Sequence, residues 1–285
     1  MSEPLDTPIT IREMLSDDLK QAHGLSLAEK WPHRIQEWQR CFLLGFGFVA
    51  EQNGVIVGTA MGWPFTDQVS SLGLVIVSSD IRGKGLGRKL MDVVLDKLGD
   101  RAVMLISTAD GLPLYKKYGF DVKGTIHQHQ GASFTAPLLI ANEGQRLRPM
   151  GASDIDKIVQ LDASAVGYDR AKVLRELMES GKGIVLESQD GAVGFSIFRR
   201  FGHGHVIGPT IAPNLEGAKM MISHWLRSNP GMFIRLDVPG DGDLSDWLDD
   251  LGVSCVDRVN RMVLGNSSEL DSRGNVFSIV NQAIG

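Results

Sequence analysis

The sequence predicts a mixed α/β fold, with an α+β mixed sheet, that occurs twice in tandem along the chain. Two observations support this prediction. The second half repeats landmarks of the first at a nearly constant offset, and apolar runs of strand length alternate with amphipathic stretches of helix length. A chain of 285 residues is long enough for two ordinary domains. The repeat therefore predicts the domain organisation, and the alternation predicts the fold class.

The repeat is seen when the two halves are aligned in chain order. The matched positions are residues 11–14 with 147–150, Asp18-Leu19 with Asp154-Ile155, Glu51 with Glu187, Gly58 with Gly194, and Tyr118-Gly119-Phe120 with Leu251-Gly252-Val253. Any one match could arise by chance, but matches in chain order at a nearly constant offset indicate duplication. We expect one domain over residues 1–141 and a second over residues 145–285, with a boundary near Asn142-Glu143-Gly144.

Apolar patterning predicts the elements of the first copy. Two antiparallel strands turn at Asn53-Gly54, a strong hairpin signal. The run at 72–77 is almost wholly apolar, as in a strand buried on both faces. A helix with apolar residues at helical spacing ends at Gly99. In chain order the predicted elements are strands at 48–51, 55–61 and 72–77, a helix at 86–98, a strand at 102–107 and a short helix at 112–118.

A basic, glycine-rich loop lies between the third strand and the long helix, with the sequence Arg82-Gly83-Lys84-Gly85-Leu86-Gly87-Arg88. Glycines let the backbone approach phosphate oxygens closely, and a helix N-terminus attracts anions. The spacings GxxxxGK[ST] and GxGxxG of other phosphate-binding loops are absent. The spacing RxxGxG is present, through Arg82, Gly85 and Gly87. The loop is therefore a predicted pyrophosphate site.

With the strand before it, this loop resembles the coenzyme A signature of the GNAT acyltransferase superfamily, V-x-P-x-x-R followed by x-x-G-x-G. Val77 and Arg82 match the signature, whereas Ser79 replaces its proline. The resemblance implies tandem GNAT-like acyl-CoA N-acyltransferase domains, with acetyl-coenzyme A (acetyl-CoA) as co-substrate and no metal. It also implies that the strand end contacts the pantetheine arm and that the loop amides hold the pyrophosphate. The implied cofactor-binding residues are Val75, Ile76, Val77, Arg82, Gly83, Lys84, Gly85, Leu86, Gly87 and Arg88.

A tyrosine on the short helix is a second landmark of the same superfamily. Tyr115 stands at the matching position, four residues before Gly119-Phe120. The resemblance implies that Tyr115 is catalytic, as the general acid that protonates the departing thiolate. An asparagine often found upstream in the family is missing, because Ser107 and Thr108 stand there. Tyr118 is predicted to pack in the core.

The second copy lacks these features. By alignment the substitutions are Pro209 for Val75, Glu216 for Arg82, Lys219 for Gly85, Met221 for Gly87 and Leu248 for Tyr115. A carboxylate repels a pyrophosphate, and proline removes a backbone donor. The second domain is therefore a predicted degenerate GNAT-like domain. It either shapes the acceptor pocket of the first domain, or only stabilises or dimerises the protein.

These observations predict an N-acetyltransferase that acts on the amine of a small-molecule acceptor whose identity the sequence does not define. The alternative is a non-catalytic acyl-CoA-binding sensor or regulatory module. Retention of Tyr115 favours an enzyme, because binding alone needs no proton donor. A nucleic-acid-binding role for the basic loop is disfavoured, since the loop lacks interleaved aromatic residues and the protein has a net charge of −5.

The general base is not evident, because no carboxylate lies on the strand at 72–77. A water chain is one alternative, and the candidate side chains are Glu29, His33 and Asp67. Aromatic residues that either wall the acceptor site or pack in the core are Trp31, Trp63 and Phe65. Two His-x-His pairs have a spacing suited to metal, but we interpret them as ordinary strand or loop histidines because no third ligand is evident. These pairs are His127 with His129 and His203 with His205.

The bulk composition favours a cytoplasmic protein. The two cysteines, Cys41 and Cys255, form no CxxC pair, which fits a reducing compartment. The N-terminal residues show no signal-peptide pattern, and no apolar run is long enough to span a bilayer. We therefore expect no membrane or nucleic-acid partner, and a homodimer remains an open possibility.

Overall fold

The computed structural model describes residues 8–133, 135–140, 144–240, 242–265, 270 and 275–285. Of the predicted boundary Asn142-Glu143-Gly144, the first two residues lie outside the described part of the chain. Across the described ranges, no helix combines the length and apolarity that a membrane crossing requires.

The first half of the chain follows the predicted order of elements. The helix predicted at 86–98 and the strand at 102–107 are confirmed at both ends, and the hairpin at Asn53-Gly54 is confirmed. Both hairpin residues have positive φ, 53° and 76°, as this type of turn requires. The elements are β1 (Thr10–Glu13), α1 (Leu19–Ala28), α2 (Ile35–Leu44), β2 (Phe46–Gln52), β3 (Val55–Pro64), β4 (Val69–Val77), α3 (Leu86–Leu98), β5 (Ala102–Ser107), α4 (Leu112–Lys117) and β6 (Asp121–Gly131).

The second half repeats this order and adds a short final strand. Its elements are β7 (Arg146–Pro149), α5 (Ile155–Val166), α6 (Ala171–Ser180), β8 (Lys182–Ser188), β9 (Gly191–Phe201), β10 (Gly204–Ile211), α7 (Leu215–Ser228), β11 (Ile234–Pro239), α8 (Leu244–Asp250), β12 (Val253–Leu264) and β13 (Val276–Ser278).

The internal repeat extends to matching ion pairs. In each half an arginine on the first strand bridges the acid that opens the first helical turn and an acid on the strand next to it. The matching sets are Arg12 with Asp18 and Glu51, and Arg148 with Asp154 and Glu187. Because sequence alignment had paired these segments, the shared contacts confirm the duplication.

All the strands belong to one sheet, and its order shows that the halves exchange a strand. The order is β1-β2-β3-β4-β5-β12-β6-β11-β10-β9-β8-β7, and β13 pairs with β10. Strand β12 of the second half lies against β5 of the first, while β6 of the first half lies against β11 of the second. The predicted division into 1–141 and 145–285 follows the order of the chain. In the sheet, however, each half contributes one strand that lies between strands of the other half.

Helices cover both faces of this sheet. On one face, α1 and α2 pack with α5 and α6 around a shared core that includes Trp38, Ile76 and Phe195. On the opposite face, α3 and α4 cover the first half, and α7 and α8 cover the second. The first face is thus built jointly by the two halves, and residues 279–285 also lie there, through Val280 and Ile284.

Because β12 contributes to the core of the first half, a mutation on this strand is expected to destabilise that core. Met262 on β12 is fully buried in the core beneath α3 of the first half. We expect Met262→Ala to lower the free energy of unfolding by about 2–5 kcal/mol through the cavity it leaves. Val256→Ala, at an exposed position of the same strand, should have little effect. Urea unfolding measures both. An unchanged stability of the Met262 variant would contradict the exchanged arrangement.

Candidate active site

Strands β4 and β5 diverge at the centre of the first half and leave a gap between them. They pair in parallel only from Val69 with Ala102 to Ser71 with Met104. Beyond Ser71, the β4 edge that faces the gap has no strand partner among the described residues. Unpaired backbone groups inside a protein need other hydrogen-bonding partners. The gap therefore offers a strand edge to an extended ligand, and Val75, Ile76 and Val77 lie on it.

A bulge deforms β4 within this edge. Leu74 has a φ of 50°, which is uncommon for a residue with a side chain, and its carbonyl accepts a hydrogen bond from Thr59 Oγ1 at 2.8 Å. The pairing register between β3 and β4 shifts at this point. Bulges of this kind re-aim backbone groups and are frequent beside functional sites.

The glycine-rich loop joins the end of β4 to the N-terminus of α3. Gly83 and Gly85 have φ values of 80° and 78°, and no atom lies within 4 Å of the position of a Cβ at either residue. This side of the loop is therefore open space next to both glycines. Lys84 and Arg88 are exposed, whereas the Leu86 side chain is buried in the core and leaves only its backbone for a ligand. Gly87 lies in the first turn of α3.

Arg82 folds back over the end of β4. Its Nε donates to the Val77 carbonyl at 3.0 Å, and its guanidinium forms an ion pair with Glu29 at the end of α1. The hydrogen bond with Glu29 raises the pKa of Arg82. The structure thus joins two predicted cofactor residues to one of the candidate general bases. In this arrangement the Glu29 carboxylate is already partnered.

Tyr115 lies on α4, close to the gap, with 8% of its surface exposed. Its ring packs edge-on against Phe120 at 5.9 Å between ring centres. Among the described residues its hydroxyl has no hydrogen-bonding partner, and burial raises the pKa of Tyr115 to about 12. The phenol is therefore protonated at neutral pH. Tyr118 differs, because its hydroxyl contacts the Arg88 carbonyl at 2.9 Å and the carboxylate of Asp92 on α3.

The remaining candidates for a general base lie apart from each other. Asp67 is fully exposed on the turn before β4 and pairs with Arg101 at 3.7 Å. His33 packs edge-on against Phe201 of the second half, with its Nδ1 buried and unpartnered. Burial, with Arg235 and His23 nearby, lowers the pKa of His33 to about 4.

The three aromatic residues predicted to wall the site or pack in the core have different environments. Trp63 belongs to the core, where it is fully buried and donates from Nε1 to the Cys41 carbonyl at 2.8 Å. Trp31 is half-buried beside His33. Phe65 stacks on Tyr168 of the second half at 5.1 Å, which makes it an inter-half contact.

In the second half the corresponding gap is filled by the protein itself. Strands β10 and β11 pair at only two positions before they diverge, and β13 inserts there. Thr210 and Ile211 of β10 pair with β13, and the Ile279 amide donates to the Asp237 carbonyl of β11 at 2.9 Å. A Cβ on Gly208 would lie 2.2 Å from the Ile279 carbonyl oxygen, so only glycine permits this approach.

The second half also lacks a loop equivalent to 78–85. Only Ala212, Pro213 and Asn214 separate β10 from α7, and the Asn214 side chain caps the helix by accepting from the Gly217 amide at 2.9 Å. Glu216, Lys219 and Met221, aligned with the loop residues of the first half, are therefore all helical. The sequence alignment that pairs Glu216 with Arg82 contains no gap, so it places residues of helix α7 opposite the loop of the first half.

A third potential metal ligand is found beside one His-x-His pair. Ligand atoms of His127, His129 and Cys255 lie within 4.8 Å of one another, since Cys255 on β12 pairs with His129 on β6. Each group has a protein partner, however. His129 contacts the Val253 carbonyl and the Ser245 hydroxyl, and the Cys255 thiol contacts the Asp257 carbonyl. Strand exchange brings Cys255 here, which the local spacing of the histidines did not indicate.

Comparison with models of known protein families identifies the family of both halves. The model of the acetyltransferase (GNAT) family matches residues 11–120, and a second acetyltransferase (GNAT) domain model matches residues 158–278. The protein therefore belongs to the GNAT superfamily and is a tandem GNAT acyltransferase.

Individual relatives extend over most of the chain. It is 26% identical over 261 residues to the uncharacterized N-acetyltransferase YitH of Bacillus subtilis, covering 90% of this chain and 91% of the relative. It is 28% identical over 262 residues to the holothin acyltransferase of a Pseudoalteromonas species, covering 84% of each. A putative acetyltransferase of Pyrococcus horikoshii has the same fold, with a TM-score of 0.78, 18% identity and coverage of 100% of this chain and 98% of the other.

The ion pair between Arg82 and Glu29 predicts a gain of affinity on mutation. Glu29→Gln should tighten the binding of an acyl-CoA about 2- to 5-fold, because the ion pair that holds Arg82 is lost and a negative charge beside the loop is removed. Asp110→Asn is the matched control, since Asp110 acts on Arg82 through charge alone and should have a smaller effect. Calorimetric titration at fixed ionic strength measures both. Weaker binding to the Glu29 variant would show instead that Glu29 orients Arg82 for its ligand.

Proposed function

We propose that the protein is an acetyl-CoA-dependent N-acetyltransferase that acetylates the amine of a small-molecule acceptor, with its active site in the first half. The observation that carries the proposal is the difference between the two gaps. The gap between β4 and β5 keeps an unpaired strand edge beside an open glycine loop, whereas β13 fills the gap between β10 and β11.

The first-half residues fit an acyl-CoA by their chemistry. The backbone of Val75, Ile76 and Val77 would pair with the amides of the pantetheine arm, as a neighbouring strand would. The amides from Gly83 to Arg88, the helix N-terminus and three cationic side chains would hold the pyrophosphate. Arg82 would exchange its Glu29 and Val77 partners for phosphate oxygens.

Acetyl-CoA, the co-substrate, supplies a thioester carbonyl to the reaction. A C–N bond forms to the acceptor as the C–S bond breaks, one proton leaves nitrogen, and one reaches sulfur. Backbone N–H groups at the Leu74 bulge are suited to stabilise the oxyanion. Tyr115 is suited to protonate the sulfur, since its phenol is protonated at neutral pH.

The second half would serve the first as a structural partner. It supplies β12 to the first-half sheet and shares the core on the face opposite α3. These contacts support the alternative in which the degenerate domain stabilises the first domain.

Tyr115→Phe tests the proposal. We expect kcat to fall about 100-fold, within the usual range for loss of a general acid, while the Kd of acetyl-CoA stays within about 2-fold. Tyr118→Phe is the control, because its hydroxyl contacts α3 and should leave kcat near the wild-type value. Thiol release from acetyl-CoA across a panel of amines measures both.

The pH dependence adds a further readout to the same experiment. Because the pKa of Tyr115 is raised to about 12, the catalytic phenol stays protonated through pH 10 and should cause no alkaline loss of kcat below that pH. An unchanged kcat in the Phe variant would exclude the general-acid role. Tight acetyl-CoA binding without turnover on any amine would identify a sensor or regulatory module instead.

A further inference from the structure

Three side chains with metal-binding groups meet beside α8, where the two halves exchange strands. His127 and His129 lie on β6 of the first half, and Cys255 lies on β12 of the second. One ligand atom from each residue lies within 4.8 Å of the other two. Cys255 reaches the histidines because it pairs directly with His129 in the exchanged sheet. Both halves are thus needed to form this cluster.

The donor set of the cluster defines the class of cation that it suits. Two imidazole nitrogens and a thiolate are ligands of Zn²⁺, with bonds of about 2.0–2.1 Å to nitrogen and about 2.3 Å to sulfur. In a tetrahedral site these lengths place the ligand atoms about 3.3–3.8 Å apart. Side-chain movements of at most about 1.5 Å would therefore close the cluster around the ion. Mg²⁺ and Ca²⁺ are disfavoured, because they prefer oxygen ligands.

The His129 ring is oriented as a metal ligand would be. It is fully buried, and its Nδ1 lies 2.7 Å from the Val253 carbonyl oxygen and 3.6 Å from a carboxylate oxygen of Asp249. Both neighbours accept hydrogen bonds, so in the neutral ring Nδ1 carries the proton and Nε2 carries the lone pair. Metal-bound histidines donate their other N–H to a carbonyl or carboxylate in the same way. Nε2 of His129 is thus available as a ligand atom.

The Ser245 hydroxyl of α8 bridges the two histidine rings. Its Oγ lies 2.9 Å from His127 Nδ1 and 2.8 Å from His129 Nε2. Because His129 Nε2 carries a lone pair, Ser245 donates its single proton to that atom. A cation that takes this lone pair displaces one neutral hydrogen bond, and the hydroxyl can rotate to another partner. Such a bond is weak beside the binding of Zn²⁺ to protein ligands, so the hydroxyl is a replaceable partner.

A bulge sets the position of Cys255. The register between β12 and β6 shifts between Cys255 and Asp257, and bulges re-aim the side chains beside them. The Cys255 amide donates to Asp249 at 2.7 Å, so the carboxylate that faces His129 also fixes the backbone of Cys255. The thiol makes a weak contact of 3.5 Å with the Asp257 carbonyl. Cys255 and His127 are half-buried, so an ion can enter from solvent.

We infer that His127, His129 and Cys255 form a Zn²⁺ site that ties β6 of the first half to β12 of the second. Cys255 binds as a thiolate, and its proton passes to solvent. Each histidine binds through a nitrogen lone pair, and solvent completes the coordination of the ion. Because the ligands come from both halves, the ion stabilises the exchanged sheet. The site shares no residue with the glycine-rich loop or with the β4 edge, so the inference does not depend on the proposed acyl transfer.

Titration of the full-length protein with Zn²⁺, in the absence of an affinity tag, tests the inference. We expect one ion per chain with a Kd of about 10⁻⁷–10⁻⁶ M, weaker than in structural sites with four protein ligands. Mg²⁺ should not compete with Zn²⁺. Co²⁺ in place of Zn²⁺ should show the near-ultraviolet absorption band of a cobalt–thiolate bond. A Kd weaker than about 10⁻⁴ M, or a cobalt complex without the thiolate band, would overturn the inference.

Matched variants locate the bound ion. Cys255→Ser preserves the shape of the side chain but replaces a thiolate by a hydroxyl. It should weaken Zn²⁺ binding at least about 100-fold and remove the cobalt–thiolate band, and His127→Ala should weaken binding to a similar extent. The second His-x-His pair supplies the control, because His203 is exposed and His203→Ala should leave the Kd unchanged. Binding lost in the His203 variant but kept in the Cys255 variant would overturn the assignment.

Ser245→Ala and thermal unfolding complete the test. The Ser245 variant should bind Zn²⁺ at least as tightly as the wild type, because a competitor for the His129 lone pair is removed; weaker binding would contradict the proposed coordination. Zn²⁺ at about 100 times its Kd should raise the Tm of the wild type by about 4–8 °C and leave that of Cys255→Ser unchanged. Zn²⁺ binding without a rise in Tm would overturn the tie between the strands. None of these measurements uses acyl transfer, so their failure would leave the proposed function untouched.

Discussion

A β-strand that diverges from its neighbour inside a protein exposes backbone donors and acceptors that water cannot freely reach. The duplicated fold creates this condition twice, once between β4 and β5 and once between β10 and β11. The second half satisfies its open edge internally, by inserting β13. The first half leaves its edge available beside a glycine-rich loop. The unpaired backbone groups are thus satisfied by a strand of the protein in the second half. In the first half they remain available to a ligand.

Strand exchange gives the second half a structural role, although its own gap is filled by β13. Strand β12 completes the first-half sheet next to β5, and Met262 on that strand fills the core beneath α3. The two halves also share the core on the opposite face. Because each half depends on the other for a strand, loss of the second would expose the β5 edge and destabilise the first.

The C-terminal segment links the two gaps physically. It begins as β13 in the second-half gap and continues to Ala283, which lies against β4 of the first half. A Cβ on Gly73 would be 3.1 Å from the Ala283 carbonyl oxygen, so glycine allows this close approach. One segment therefore closes the gap of the second half and packs against β4 of the first half. Sequence changes in this segment are expected to act on both.

Local patterns in the sequence determined the elements that depend on near neighbours. The bounds of α3 and β5, the hairpin at Asn53-Gly54 and the duplication were all predictable, because periodicity and turn chemistry act over short stretches of chain. The glycine loop and Tyr115 were also recognisable by spacing, and their roles stay predictions. Only the tertiary structure decided the exchange of β6 and β12, the insertion of β13 and the contact of Arg82 with Glu29. These depend on which distant strand edges and charges meet, and homologous edges in a duplicated chain are too alike for local sequence to distinguish between them.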